Sequence, residues 1–326
     1  MMSAPVTRPA RPTPPAVSVV LPTYRRAEFL GRAIDSVVRQ TREDWELLVV
    51  DDNGVGSPDQ RATEALMTRY ASDARISYLP HGRNLGACAA RNTGIRRARG
   101  PLVAFLDDDD EWYPHKLARQ LEHFASASPE VALVYSGVVV VEPDGRKAPK
   151  PASAAARERR NLLKRNGIGT TSAIMCRREA LLAVGGFDER LPSMQDYDLY
   201  VRLAQRFSFD LVEEPLLEYH RHALFKIGKD HEAAARANCL FYEKHRSLFE
   251  GDPEVHHERL RVYGLEVMRA GRLGEARRLL LRAWRAKPSE IGTLALAVVL
   301  SGPTLAAYRA MRRYRQGNRR GTLNAG

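Results

Sequence analysis

Short apolar runs, each closed by a polar or glycine-bearing turn, alternate along this chain with stretches in which apolar residues recur every three or four positions. Val17-Ser18-Val19-Val20-Leu21 predicts a strand, and Pro22-Thr23-Tyr24-Arg25-Arg26 the loop beyond its carboxyl end. Phe29, Leu30, Ala33, Ile34, Val37 and Val38 make a helical stripe between Glu28 and Gln40. Leu47-Leu48-Val49-Val50 predicts the next buried strand, ending in Asp51-Asp52-Asn53-Gly54, where Asn-Gly is a strong turn signal. A helix over about 60–70 and a short strand over 75–79 follow. Asn84-Leu85-Gly86 opens a helix to about Arg99, and Gly100-Pro101 stops it ahead of the strand Leu102 to Leu106. Strands alternating with helices predict an α/β fold with a doubly wound, mostly parallel sheet.

The pattern continues with a helix over 114–127, strand material over 131–141 and the turn Pro143-Asp144-Gly145. Residues 146–165, basic and alanine-rich, read as a mobile segment or a lid. A strand over 168–176 and a short helix over 178–184, ended by Gly185-Gly186, lead to Gln195-Asp196-Tyr197-Asp198-Leu199, which begins another helix. Asp196 and Asp198 then lie in a first turn, where the helix dipole tolerates negative charge. Asp196 read alone is equally a simple N-terminal cap. From about Asp230 the pattern is helical. Leu260, Tyr263, Gly264, Val267, Ala276, Leu280, Ala283 and Pro288 have the spacing of one tetratricopeptide-like hairpin, over about 257–288. One repeat cannot bury its own face, so it is expected to pack on the catalytic body or on another subunit, as in a homodimer. The expected divisions are a proline-rich leader at 1–15, a main domain over 16–228 and a C-terminal helical region over 229–326.

Charge changes this picture less than its total suggests. The net charge is +12, but Arg8 and Arg11 in residues 1–15 and Arg309, Arg312, Arg313, Arg315, Arg319 and Arg320 in 302–326 carry eight of it, with no acid in either tail. Without interleaved aromatic platforms, tail charge of this kind does not predict nucleic-acid binding. The apolar and arginine-bearing stretch Leu294 to Tyr314 has two readings, an element lying in an anionic membrane surface or a surface helix with a frayed basic tail. Cys88, Cys176 and Cys239 are odd in number, widely spaced and free of C-x-x-C pairs, as in reduced, packed thiols of a cytosolic protein. The leader lacks an apolar core of signal-peptide type, and no stretch reaches the roughly 18 apolar residues of a membrane span. The expected location is the cytoplasm, with peripheral contact at the inner face of the plasma membrane.

The candidate chemistry lies where Leu102-Val103-Ala104-Phe105-Leu106 runs into Asp107-Asp108-Asp109-Asp110-Glu111-Trp112. Four adjacent aspartates repel one another, so at the mouth of a buried strand they call for a positive partner. Carboxylate oxygens suit the hard ions Mg2+ and Mn2+. Sheets of this kind bind ligands beyond the carboxyl ends of their strands, and Thr23-Tyr24, Asp51-Asp52 and Asp107 to Asp110 all fall there. Neither G-x-G-x-x-G after the first strand nor G-x-x-x-x-G-K-[ST] occurs, which argues against a dinucleotide enzyme and a P-loop ATPase.

Six motifs in order carry a resemblance: Val17 to Tyr24, Val50-Asp51-Asp52, Asn84-Leu85-Gly86 with Ala90-Arg91-Asn92-Thr93-Gly94-Ile95, Phe105 to Asp110, Gly185-Gly186-Phe187-Asp188-Glu189, and Gln195 to Leu199. Over roughly 17–225 the chain resembles an inverting, non-processive family 2 glycosyltransferase of the GT-A fold, with a Rossmann-like nucleotide-binding half, an acceptor half and, here, a C-terminal helical appendage. The resemblance implies that Pro22, Thr23, Tyr24 and Asp52 cradle the base and ribose of a nucleoside diphosphate sugar, usually a uridine one. It implies that Arg91, Asp107 and Asp108 lie near the nucleotide sugar and that Asp107 and Asp109 form the D-x-D motif, with Asp109 the direct metal ligand. Asp196 matches the catalytic base, although Gln195 stands where the family most often has Glu. His222 in Tyr219-His220-Arg221-His222 resembles a histidine that reaches the metal or diphosphate, with His220 its competitor. The implied cofactor is Mn2+ or Mg2+, and the implied acceptor a saccharide or lipid-linked saccharide of a cell-surface glycan. Two other functions stay open on the residues alone: a sugar nucleotidyltransferase, and a non-catalytic scaffold that binds sugar nucleotides.

Overall fold

The structure, a computed structural model, describes residues 14–221 and 230–300. The leader through residue 13, His222 and the basic tail from 301 lie outside the described residues. The described residues form two compact units, the first from 14–157, 168–189 and 202–221, the second from 158–167, 190–201 and 230–300.

In the first unit, β1 (Val17–Thr23), α1 (Ala27–Val38), β2 (Trp45–Asp51), α2 (Pro58–Met67), β3 (Ile76–Pro80), α3 (Ala87–Arg97) and β4 (Leu102–Phe105) alternate as expected. The strands β3, β2, β1 and β4 pair in parallel in that spatial order. Every residue of β1, β2 and β4 is buried, as a parallel strand covered on both faces requires, and this is why each reads as a continuous apolar run. Val17, Val19 and Leu21 pack into a core with Leu30, Ala33, Ile34 and Val37 of α1. Val20 faces the opposite way, onto Gly94 of α3.

Beyond β4 the sheet changes character. After β5 (Glu111–Trp112) and α4 (Lys116–Ser126) come β6 (Val131–Val141), β7 (Lys147–Lys150), β8 (Ile174–Arg177), α6 (Arg178–Ala183) and β9 (Ser208–His220). The nine-stranded sheet continues from β4 through β8, β6 and β9 to β5, with β7 beside β6. In this half only the β6–β9 pair is parallel, while β4–β8, β8–β6, β6–β7 and β9–β5 are antiparallel. The sheet is thus a parallel nucleotide-type half fused to a mixed half. Within the expected mobile stretch 146–165 lie β7, a 3-10 turn at Ala154–Arg157 and α5 (Arg159–Lys164). The strand expected over 168–176 is shorter, because Thr171–Ala173 form a 3-10 turn ahead of β8.

The second unit holds α5, residues 195–201 of α7 (Gln195–Leu203), α8 (His231–Lys244), α9 (Arg246–Glu250), α10 (Pro253–Arg269), α11 (Leu273–Ala286) and α12 (Ile291–Val299). Helices α10 and α11 pack together, with Gly264 close against Leu280. No helix among the described residues is long and apolar enough to cross a membrane.

A methyl group added at Gly94 would sit 2.3 and 2.6 Å from the two γ carbons of Val20. Overpacking of this kind costs about 1–3 kcal/mol and outweighs the roughly 1 kcal/mol by which alanine favours a helix interior. Gly94→Ala is therefore expected to lower the denaturant midpoint with an unchanged m-value, a result that a neutral or stabilising effect would contradict.

Candidate active site

Three strand ends of the first unit are tied together at one edge of the sheet. The Asp52 amide donates to the Thr23 carbonyl (2.9 Å), and the Arg25 amide to Asn53 Oδ1 (2.7 Å). Thr23 Oγ1 donates to Asp108 Oδ2 (2.8 Å), joining the β1 and β4 loops. Arg25 adopts the left-handed region at φ 56°, which turns the chain sharply between Tyr24 and Arg26. Tyr24 is 40% exposed, and its ring carries the Arg25 guanidinium 5.0 Å from the centroid.

Asp52 is buried, and its own chain supplies four donors to it. Oδ1 accepts the Leu85 amide and bonds His81 Nδ1, and Oδ2 accepts the Gly86 amide and the Asn84 side chain, at 2.7–3.0 Å. In this geometry Asp52 fixes the 84–86 turn that starts α3. Its neighbour Asp51 is fully buried and accepts the Tyr78 hydroxyl (2.6 Å), with its pKa raised mainly by burial.

The aspartate run has positive partners within the chain itself. Asp109 Oδ2 lies 2.5 Å from an Arg26 amine, which also reaches Asp108 Oδ1 at 3.3 Å. Asp107 Oδ1 lies 2.5 Å from an Arg91 amine and accepts the Thr171 hydroxyl at 3.2 Å, while the Asp107 amide donates to Ser172 Oγ (3.0 Å). Arg91, one of the residues expected near the nucleotide, is thus buried against Asp107, not displayed on the helix surface. Burial pushes the Asp108 carboxyl up to about 7 despite the opposing pull of Arg26 and Thr23. Asp110 is pushed well above the carboxylate range, first by burial and then by Asp107 and Asp109. Its Oδ1 accepts the His220 amide (3.1 Å), and among the described residues its buried Oδ2 has no hydrogen-bond partner.

Sequence reading missed Arg26, Thr171 and Ser172. No spacing rule ties Thr171 to Asp107, 64 positions away; only the β4–β8 pairing brings them together. Nor was Glu111 expected to pair as β5 with Glu218 of β9. Glu111, Glu218 and His220 bring potential ligand atoms within 4.8 Å of one another. The Lys147 ammonium already lies 2.5 Å from Glu218, and the Tyr113 hydroxyl donates to the same oxygen at 3.2 Å. His222, the expected metal-reaching histidine, lies outside the described residues.

In the second unit Asp196 is half-buried in the first turn of α7, and Asn166 donates its side-chain amide to Asp196 Oδ2 (3.1 Å). Met194 precedes it with φ 64°, and its carbonyl accepts the Asp198 amide (2.9 Å).

A nucleotide-type parallel half-sheet with an aspartate run closing its last parallel strand defines a GT-A glycosyltransferase. Residues 18–185 match glycosyl transferase family 2, and the chain belongs to that family. The putative colanic acid biosynthesis glycosyl transferase WcaA of Escherichia coli is 31% identical, over 72% of this chain and 83% of its own length. The amylovoran biosynthesis glycosyltransferase AmsB of Erwinia amylovora is 30% identical, over 69% and 75%. In fold the chain is similar to the mannosyltransferase PcManGT of Pyrobaculum calidifontis, solved with GDP-Man and Mn2+ (TM-score 0.55, 20% identity, 92% of this chain and 80% of that one). It is also similar to S. aureus TarS, solved with UDP-GlcNAc (TM-score 0.52, 17% identity, 84% and 74%).

The platform under Asp107 rests on a buried cation. Trp112 Nε1 donates to the Ser172 carbonyl (3.0 Å), and Gln120 donates to the Ala173 carbonyl (3.0 Å) while accepting from the ammonium of Lys116. Lys116 is fully buried with its nitrogen 4.2 Å above the Trp112 ring, and burial lowers its pKa to about 7 from an ordinary 10.5. Between those values the unfolded chain holds a proton that the folded chain releases, so this group makes stability rise with pH across the window. Urea melts at pH 7 and 8.5 should show Lys116→Met with a flatter rise than the parent, by up to about 1.4 kcal/mol per pH unit. Parallel slopes would mean that Lys116 stays charged in its pocket.

Proposed function

We propose that this glycosyltransferase moves one sugar from a nucleoside diphosphate sugar, a uridine one in the first place, to a hydroxyl of a saccharide or lipid-linked saccharide, inverting the anomeric configuration. The observation that carries the reading is the run Asp107 to Asp110, held at the end of a buried strand with Thr23 and Arg91 bonded to it. WcaA and AmsB are named for colanic acid and amylovoran biosynthesis, which supports a surface polysaccharide as the product.

Asp107 and Asp109 are the residues that would hold Mn2+ or Mg2+, and His222 is the expected third contact. The carboxylates of Asp107 and Asp109 are oxygen ligands of the kind a hard divalent ion takes, the expected histidine would add a nitrogen, and among the described residues the buried Asp110 Oδ2 has no hydrogen-bond partner. A bound ion supplies Lewis-acid stabilisation of the departing diphosphate. Arg26, at Asp109, carries a planar guanidinium of the shape that phosphate oxygens favour. The exposed ring of Tyr24 offers a stacking surface for the base, and a base contact with Asp52 would replace one of its four present donors.

Asp196 takes the proton of the acceptor hydroxyl as general base, with one oxygen steered by Asn166. A single displacement turns an α-linked donor into a β-linked product. The chain contains no Gln-x-x-Arg-Trp motif, in keeping with one transfer per encounter. The arginines of 302–326 favour a cytoplasmic enzyme in peripheral contact with anionic lipid.

Thermal-shift measurements with UDP-GlcNAc, GDP-mannose, UDP and nucleoside triphosphates, each with and without Mn2+, are expected to show metal-dependent stabilisation by a diphosphate ligand. Asp109→Ala should lose that stabilisation. Asp196→Asn should keep it while nucleoside diphosphate release falls by about 10²–10⁴-fold. Pyrophosphate release from a triphosphate would make the protein a nucleotidyltransferase, and full turnover by Asp196→Asn would remove Asp196 as the base.

A further inference from the structure

Asp196 is flanked by two residues that are buried for different reasons. Asp198, which is fully buried, receives at Oδ1 the Lys244 ammonium (2.7 Å) and His245 Nε2 (2.8 Å). Tyr197 donates its hydroxyl to the Leu162 carbonyl (2.6 Å) and stacks on Phe241 with centroids 4.7 Å apart. Arg259, at 3% exposure, places its guanidinium carbon 5.2 Å from the Tyr197 ring, 4.8 Å from Phe241 and 5.6 Å from Phe249. Among the described residues no carboxylate pairs with Arg259; one amine reaches the Lys164 carbonyl (3.3 Å). His245 in turn sits edge-on to Phe241 (4.9 Å).

A desolvated guanidinium with no ion-pair partner is costly in an ordinary hydrophobic hairpin, where a leucine would pack better. Here it sits among three rings, one of which belongs to the residue next to Asp196. A hairpin serving only as a spacer has no use for that arrangement. It also lies on the same unit as α5, and Asn166, two residues beyond the end of α5, holds Asp196 itself.

We propose that His245, the residue between α8 and α9, and Arg259 of α10 are positioning residues for Asp196: the C-terminal helices hold the first turn of α7 from behind, through Asp198 and Tyr197, and so set the direction of the base. The inference rests on the reading of Asp196 as base and extends it to residues that touch no substrate. Clamping two consecutive side chains fixes the helix start in rotation as well as in depth. A displacement of about 1 Å at such a group can cost on the order of 10²-fold in rate.

The test uses the full chain and four variants, His245→Leu, His245→Gln, Arg259→Met and Asp196→Asn. Hydrogen exchange is followed in peptides covering 192–200 and 100–112, and nucleoside diphosphate release from UDP-GlcNAc and from GDP-mannose is followed with Mn2+. Exchange at 192–200 is expected to rise at least about tenfold in His245→Leu and Arg259→Met with 100–112 unchanged, since a held helix start opens only with its clamp. Turnover should fall about 10- to 100-fold with donor KM within about twofold, and His245→Gln, which keeps a donor for Asp198, should recover most of it. Unchanged exchange at 192–200 in both clamp variants, or a loss that Gln does not repair, would overturn the clamp. If Asp196→Asn turns over normally while exchange still rises in the clamp variants, the clamp is real and the assignment of the base is what fails.

Discussion

The structure depends on the desolvation of carboxylates at the end of β4. A strand buried on both faces delivers Asp107 to Asp110 into a place with little water, and the chain must compensate four neighbouring acids there. It does so unevenly. Arg91 with Thr171 supports Asp107, and Arg26 spans Asp108 and Asp109. Asp110 receives one backbone amide and is driven toward the neutral form. Among the described residues no hydrogen-bond partner reaches Asp110 Oδ2. The fold therefore keeps its electrostatic deficit at Asp110, the acid for which no ion pair is found among the described residues.

That deficit explains how the surrounding layers are built. The 3-10 turn Thr171–Ala173 presents a hydroxyl and Ser172 Oγ to Asp107, and the turn is held from below by Trp112 and Gln120. Gln120 is in turn held by the fully buried Lys116. A strand pairing that is antiparallel, β4 with β8, brings the turn to the aspartates. The mixed half of the sheet serves the acidic run as directly as the parallel half does.

The parallel half was legible because its strands are buried on both faces and its helices carry clean apolar stripes. Val17 to Leu21 and Leu47 to Val50 could hardly be anything else. Legibility stopped where tertiary pairing decides. The strand Ser208 to His220 escaped notice because Glu213-Glu214-Pro215 breaks its pattern, at a point where its register with β6 slips. The segment 146–165 looked like a lid because single residues of β7 and α5 carry little hydrophobic signal; pairing with β6 gives β7 its shape. At the site, the motif order named the aspartates but not the arginines that neutralise them, since charge compensation is a property of distance and not of spacing. Asp52 shows the same limit: the motif marks it for a ligand, and its geometry shows four donors from its own chain.

The second unit extends this logic from charge to orientation. A general base must be directed as well as present, and a carboxylate at a helix start inherits its direction from whatever holds that helix. For Asp196 the holding groups come from α5, α8 and α10, more than forty residues along the chain in the last two cases. A sequence motif of five residues can single out Asp196, but it cannot record the partners of its neighbours, the Phe241 ring against Tyr197 and Lys244 with His245 on Asp198. The hairpin that resembles a stray repeat thereby acquires a reason to be part of the chain: it closes the cage in which Arg259 lies. Without a ring on each side that guanidinium would be an uncompensated buried charge, so the cage and the clamp stand or fall together.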